Sequence, residues 1–206
     1  MDQALLIIFQ VAALIYSVVI HEVSHGVMAY ALGDPTAKHA GRLTLNPFKH
    51  LDLFGSFLLP LFLYFTTGFT VGYAKPVPYN PNNLNDQRYG PAKVAFAGPA
   101  SNIILALLFG VAYRAMVGTT ISPTMLDLMR GVILINLSLA IFNLTPIPPL
   151  DGHWLLLTAL PGRFLELRQF LYRYSLPLLF VFIIFVFPRV FFIILYLFRL
   201  ITGTTI

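Results

Sequence analysis

Residues 21–25 read His-Glu-Val-Ser-His, the pattern H-E-x-x-H. On a helix, residues i and i+4 share a face, so the imidazoles of His21 and His25 can reach one ion. Glu22, at i+1, is angled away from direct ligation. It can hold a water at the metal and take its proton, because zinc lowers the pKa of such a water to about 7. Catalytic zinc usually has three protein ligands plus water, so a third ligand is required. The chain has no cysteine, which leaves His, Asp or Glu. Glu166 lies in a basic loop, and Asp2, Asp34, Asp52, Asp86 and Asp127 lie at segment ends or in loops. His39 and His50 sit in a polar segment. Asp151 follows Asn143-Leu-Thr-Pro-Ile-Pro-Pro-Leu within an apolar stretch. Irregular backbone at membrane depth is tolerated where it lines a protein site or cavity. Asp151 is therefore the best third ligand, with His153 as the competitor. This donor set suits zinc, although iron or cobalt would fit similar ligands.

These residues lie in an unusually apolar chain. Of its 206 residues, 58% are hydrophobic and 10% charged, with a mean hydropathy of +0.80. Ordinary soluble domains carry about 25% charged residues. The formal charge of +5 comes from basic residues scattered through short loops, a pattern that fits topology determinants beside anionic headgroups rather than nucleic-acid binding. Asp or Lys at a membrane-helix centre costs about 3 kcal/mol on insertion scales. Two histidines and a glutamate in such a helix therefore need a reason.

The elements that position the candidates follow from hydropathy and breakers. Residues 4–31 form a first span, ended by Gly33-Asp34-Pro35. It lacks a basic leader and a small-residue cleavage pattern, and reads as a retained helix rather than a signal peptide. Residues 42–45 alternate polar and apolar, a weak strand signal. Residues 51–72 are apolar but broken by Gly55, Pro60 and Gly68, which reads as a kinked span or a re-entrant hairpin. Residues 74–91 are a Pro- and Asn-rich loop. Residues 92–117 and 131–160 are further spans, the latter interrupted by Pro146, Pro148 and Pro149. Residues 175–201, with Pro188 in the middle, form one long span or a kinked hairpin. The expectation is an all-α integral membrane protein: a polytopic transmembrane helix bundle with a short strand-like segment, forming one membrane-embedded domain over residues 1–206.

Four stretches resemble the site-2 protease family of intramembrane zinc metalloproteases: residues 21–26 (HEVSHG), 33–47 (GDPTAKHAGRLTLNP), 98–102 (GPASN) and 143–152 (NLTPIPPLDG). The resemblance implies that His21, His25 and Asp151 bind one zinc per chain and that Glu22 activates water. It also implies that Asn102 and Asn143 line the site. The substrate would be a membrane protein or peptide, cleaved in or near a transmembrane segment. The resemblance is to the compact branch, since no stretch is long enough to form a PDZ domain. His153 stands where small residues are common in relatives.

Topology follows from geometry. His21 and His25 lie late in their helix, and Asp151 lies late in its stretch, so the two segments must cross in the same direction. Loops 38–49, 75–93 and 163–173 each carry three basic residues, whereas 118–130 carries Arg130 alone. The first three are then cytoplasmic, residues 51–72 form a re-entrant hairpin, and the zinc site of this multi-pass protein of the cell (inner) membrane lies nearer the cytoplasmic face. A membrane zinc-binding scaffold or pseudoprotease is the alternative reading, against which Glu22 argues, because a purely structural site needs no base. A metal transporter is a third, but its ligands would be spread along a pathway rather than gathered at one depth.

Overall fold

The computed structural model describes residues 3–50, 75–161 and 164–204. The hairpin expected over residues 51–72 lies outside the described residues. Helix α1 is Gln3–Ala31 and the short α2 is Thr36–His39. Long helices α3 (Gly90–Met116) and α4 (Pro123–Asn143) follow, then α5 (Gly152–Ala159), α6 (Leu165–Arg173) and α7 (Ser175–Val181). Helix α7 runs through a π-helical stretch, Phe182–Val186, into α8 (Phe187–Thr202). The final apolar stretch is thus one continuous helical run. The wider π turn absorbs Pro188, which brings no N–H to the ladder.

Among the described residues, four helical runs are long and apolar enough to cross a membrane: Ala4–Ala31, Gly90–Met116, Pro123–Asn143 and Ser175–Thr202. At ~1.5 Å rise per residue, even the 21-residue α4 matches a ~30 Å hydrocarbon core. Their outward faces carry exposed Ile8, Leu108, Val111 and Phe192, side chains that lipid solvates and water does not. The protein is an integral, multi-pass membrane protein.

Neighbouring residues fix the helix directions. Gln10 lies against Gly131, Ser17 bonds Asn136, and His21 meets Asp151. Numbers rise together, so α1 and α4 run parallel, as the two halves of the candidate site require. Asn102 meets His21 and Val94 meets His25, so α3 runs antiparallel to α1. The apolar core sits away from the site, where Tyr113, Ile133, Leu137, Ile194 and Phe198 pack between α3, α4 and α8.

At the other end, α1 stops at Gly33, whose φ of 104° suits glycine. Asp34 is fully buried and accepts hydrogen bonds from Thr36 N and Oγ1, Asn80 N and Asn83 Nδ2. The loop after residue 75 is thereby strapped to the end of α1. Residues 42–45 leave the helix but carry no β-ladder among the described residues, and no strand forms there. A strand needs a backbone partner, and here the link to the 75–80 loop is made by a side chain instead: Arg42 Nη2 donates to the carbonyls of Lys75 and Pro76.

Candidate metal centre

Helix α1 places His21 and His25 one turn apart, with ring centroids 4.6 Å apart. Asp151 reaches them from the opposite side. Helix α4 ends at Asn143 with its capping turn, and the prolines at 146, 148 and 149 keep the following chain irregular. Gly152 then lets the chain fold back onto α4, because a Cβ there would collide with the Leu144 carbonyl. This turn carries Asp151 Oδ2 to 3.1 Å from His21 Nε2 and 3.4 Å from His25 Nε2, and the two Nε2 atoms are 3.0 Å apart. A tetrahedral ion with bonds of ~2.0–2.1 Å separates its ligand atoms by about 3.3–3.4 Å. The triangle is close to that size.

The hydrogen bonds behind the imidazoles decide what faces inward. His21 Nδ1 is 2.6 Å from Asn102 Oδ1, and His25 Nδ1 is 2.7 Å from the Val94 carbonyl. Both partners accept, so both Nδ1 atoms carry the proton and both Nε2 atoms present lone pairs. Asp151 Oδ2 is buried and has no hydrogen-bond donor. Two lone pairs and a carboxylate oxygen therefore converge with no proton among them, a donor set that fits a divalent cation. His21, His25 and Asp151 form the metal-competent cluster among the described residues.

Asn102 sits behind His21 rather than in the cavity. It is fully buried, and its Nδ2 donates to the Ser17 carbonyl and to Asn136 Oδ1. Asn136 Nδ2 in turn donates to Ser17 Oγ and the Val132 carbonyl. This network ties α1, α3 and α4 together and fixes the tautomer of His21. Neither Ser17 nor Asn136 was singled out from sequence, although an asparagine in the middle of an apolar span is a signal that points to such a bond. Asn143 does line the cavity, its Nδ2 donating to the Leu139 carbonyl one turn back.

The cavity in front of the cluster measures about 220 Å³, and Glu22, Tyr79, Ala95 and Trp154 also line it. Glu22 Oε2 accepts the Val77 N–H at 2.9 Å, so a loop backbone group orients the carboxylate. Burial pushes the Tyr79 hydroxyl up to about 12, aided by the negative charge of Asp151 and by Tyr172. It stays protonated at neutral pH and can donate. Pro99, inside α3, supplies no N–H to the Ala95 carbonyl, leaving an acceptor on the cavity wall. Gly98 packs against the imidazoles so closely that a Cβ would lie 2.6 Å from His21 Nε2 and closer still to His25 Nε2. His153 points elsewhere. Its Nδ1 donates to the Leu150 carbonyl, and its ring meets Trp154 at a tilt and Tyr172 edge-on, outside the three-atom cluster.

The description "Peptidase family M50" belongs to the family model that matches residues 9–130 and 110–184. The chain belongs to that family, the site-2 protease family. The M50 relatives include "Putative zinc metalloprotease YwhC" of Bacillus subtilis, 41% identical over 151 residues, covering 70% of this chain and 66% of that protein. "Putative zinc metalloprotease Rip2" of Mycolicibacterium smegmatis is 30% identical over 149 residues, covering 71% of this chain and 55% of its own. Rip2 of Mycobacterium tuberculosis is 29% identical over 146 residues, covering 69% and 54%. The match thus spans less than two thirds of each relative's length. No solved structure gives a significant match.

Proposed function

We propose that this M50 protein is an intramembrane zinc metalloprotease that hydrolyses peptide bonds in or near transmembrane segments of membrane proteins. The observation that carries the reading is the convergence of the His21, His25 and Asp151 lone pairs, with a carboxylate that is not a ligand facing the same small cavity. One zinc per chain would be held by His21 Nε2, His25 Nε2 and Asp151. When bound, it supplies the Lewis acidity that polarises the scissile carbonyl and makes a water acidic enough to ionise near pH 7.

The chain's own residues do the rest. Glu22 takes a proton from the attacking water as its oxygen bonds the carbonyl carbon, then gives that proton to the amine as the C–N bond breaks. The Val77 N–H holds the Glu22 carboxylate in place for both transfers. Asn102 and the Val94 carbonyl keep the imidazoles in the ligating tautomer. Tyr79 and Asn143 offer donors at the wall, and the Ala95 carbonyl offers an acceptor. An extended peptide can use these groups, whereas a helix hides its backbone, so the substrate helix must unwind to be cut.

Basic residues cluster at the end of the bundle that holds the site: Lys38, Arg42, Lys49, Lys75, Arg88 and Lys93 all lie in or beside its loops. By the positive-inside tendency, this end faces the cytoplasm and the protein resides in the cell membrane. The test is Glu22→Gln in a reconstituted cleavage assay against candidate single-span substrates. Cleavage should fall by about 10²–10⁴ while zinc content stays at the wild-type level. Wild-type cleavage by the Gln variant would refute the base assignment. A zinc-loaded wild type that cuts no substrate would favour the scaffold reading.

A further inference from the structure

A second cavity adjoins the metal centre. It measures about 540 Å³, and Arg88, Pro91, Trp154, Thr158 and Arg168 are among its lining residues. Trp154 lines this cavity and the metal-centre cavity alike, so the two share a wall. Their order along the helices is consistent. On α3 the metal-centre cavity touches Val94 and Ala95, and the second touches Pro91, about one turn or ~5 Å nearer the helix start. Along α5 the order is Asp151 just before its first residue, then the shared Trp154, then Leu157 and Thr158.

The electrostatics of this second cavity are one-sided. No carboxylate lines it among the described residues. Among the described residues neither Arg88 nor Arg168 forms an ion pair; the two Lys or Arg pairs are Lys93–Asp86 and Arg130–Asp127. Arg168 Nη2 is held by the carbonyls of Leu157 and Leu160, and its buried Nε–H has no partner. Backbone carbonyls at the end of α5 thus hold its guanidinium at the wall, with no carboxylate paired to it among the described residues.

We infer that this cavity is a substrate subsite that selects an acidic side chain a few residues from the cleaved bond. This inference rests on the proposed protease reading and names a feature of its substrates. An extended chain advances ~3.3 Å per residue, and Leu157 lies about 9 Å beyond Asp151 along the axis of α5, so a peptide leaving the metal centre between α3 and α5 reaches the second cavity about two to three residues on. Arg88 and Arg168 pair with the carboxylate there, and Thr158 offers a hydroxyl.

Peptide hydroxamates, which ligate zinc directly, test this without a known substrate. Two series carry the hydroxamate at either end and Asp, Asn or Lys two or three residues away. Binding is measured to the zinc-loaded full chain in phosphatidylcholine nanodiscs. The Asp compounds of one series should bind about five- to tenfold more tightly than the Lys compounds. In Arg88→Glu the preference should disappear or invert, and Arg168→Gln should weaken it. Arg88 is exposed, so its variant does not depend on a buried contact for folding. An Asp-to-Lys ratio of one in the wild type, or one unchanged in Arg88→Glu, overturns the subsite. If the Arg88 variant instead alters only retention of phosphatidylglycerol, the cavity serves a lipid headgroup and the inference is wrong. If even the Asn compounds fail to bind, the metal-centre reading fails, and the subsite falls with it.

Discussion

Asn102 offers the sharpest test of how the bundle holds a metal, because it touches His21 but not the cavity. Replacing it with Leu keeps a similar volume and removes the acceptor for the His21 Nδ1–H. That buried donor is then unsatisfied, at about 1–3 kcal/mol, and the other tautomer, which turns a proton toward the metal, becomes competitive. Loss of such outer partners typically costs 10–100-fold in metal affinity, or about 1.4–2.7 kcal/mol. Competition against a graded series of chelators should therefore show zinc leaving Asn102→Leu at 10–100-fold lower chelator strength. Asn102→Asp keeps an acceptor for His21 but turns an oxygen toward Asn136 Oδ1, 2.9 Å from the present donor. It should hold zinc more tightly than the Leu variant while unfolding at a lower temperature than wild type. Wild-type zinc affinity in the Leu variant, or equal losses in both, would refute the tautomer argument and reduce Asn102 to a packing residue.

Gly98→Ala should lower zinc affinity by at least tenfold in the same competition, since its Cβ lands on both imidazole rings; retention at the wild-type level would mean that α3 can shift without disturbing the site. Asp34 ties the 75–80 loop to α1. Burial pushes its carboxyl up, but hydrogen bonds from Thr36, Asn83 and Asn80 outweigh that and hold it below the ordinary 3.8. Its contribution to stability is thus complete above pH 3.8 and is lost as pH falls through the lower native value; thermal unfolding across that range should show an acid-sensitive step that Asp34→Asn removes, and an unchanged profile would refute it. Asn82 is exposed and the chain has no cysteine, so Asn82→Cys should be labelled only by reagent admitted to the cytoplasm, and labelling from outside intact cells would invert the proposed orientation.

The parts of the site that sequence makes legible are side chains out of place in their surroundings. His21, Glu22 and His25 stand in a helix otherwise made for lipid, and Asp151 stands in apolar chain broken by three prolines. Each costs free energy unless partnered, so each can be picked out from one sequence. Helix direction was legible for the same reason: two late positions had to meet. Less accessible were partners whose chemistry is backbone. The Val77 N–H that orients Glu22 and the Val94 carbonyl that orients His25 leave no mark in residue type. Asn102 shows the intermediate case. Its polarity marks it as needing a partner, but only packing decides whether it faces the cavity or backs a ligand. The strand signal at 42–45 failed because alternation says which faces are apolar and not whether a neighbouring backbone is free to pair.

That division bears on function. The atoms placed at the proposed metal site are few and chemically conspicuous, whereas the groups that set their tautomer and aim are spread over α1, α3, α4 and the 75–80 loop. A chelator strips only the metal, but a substitution at Gly98 or Asn102 changes what the apo site is ready to hold. In the proposed zinc site, metal affinity would therefore be coupled to helix packing through the Ser17–Asn102–Asn136 network. Loosening α3 against α1 removes the acceptors of both imidazoles together, since Asn102 and Val94 lie on that one helix. The same helix carries Pro91 at the neighbouring cavity and Ala95 at the metal-centre wall. A peptide gripped along α3 would consequently press on the element that holds both histidines in register, linking substrate seating to the integrity of the metal site.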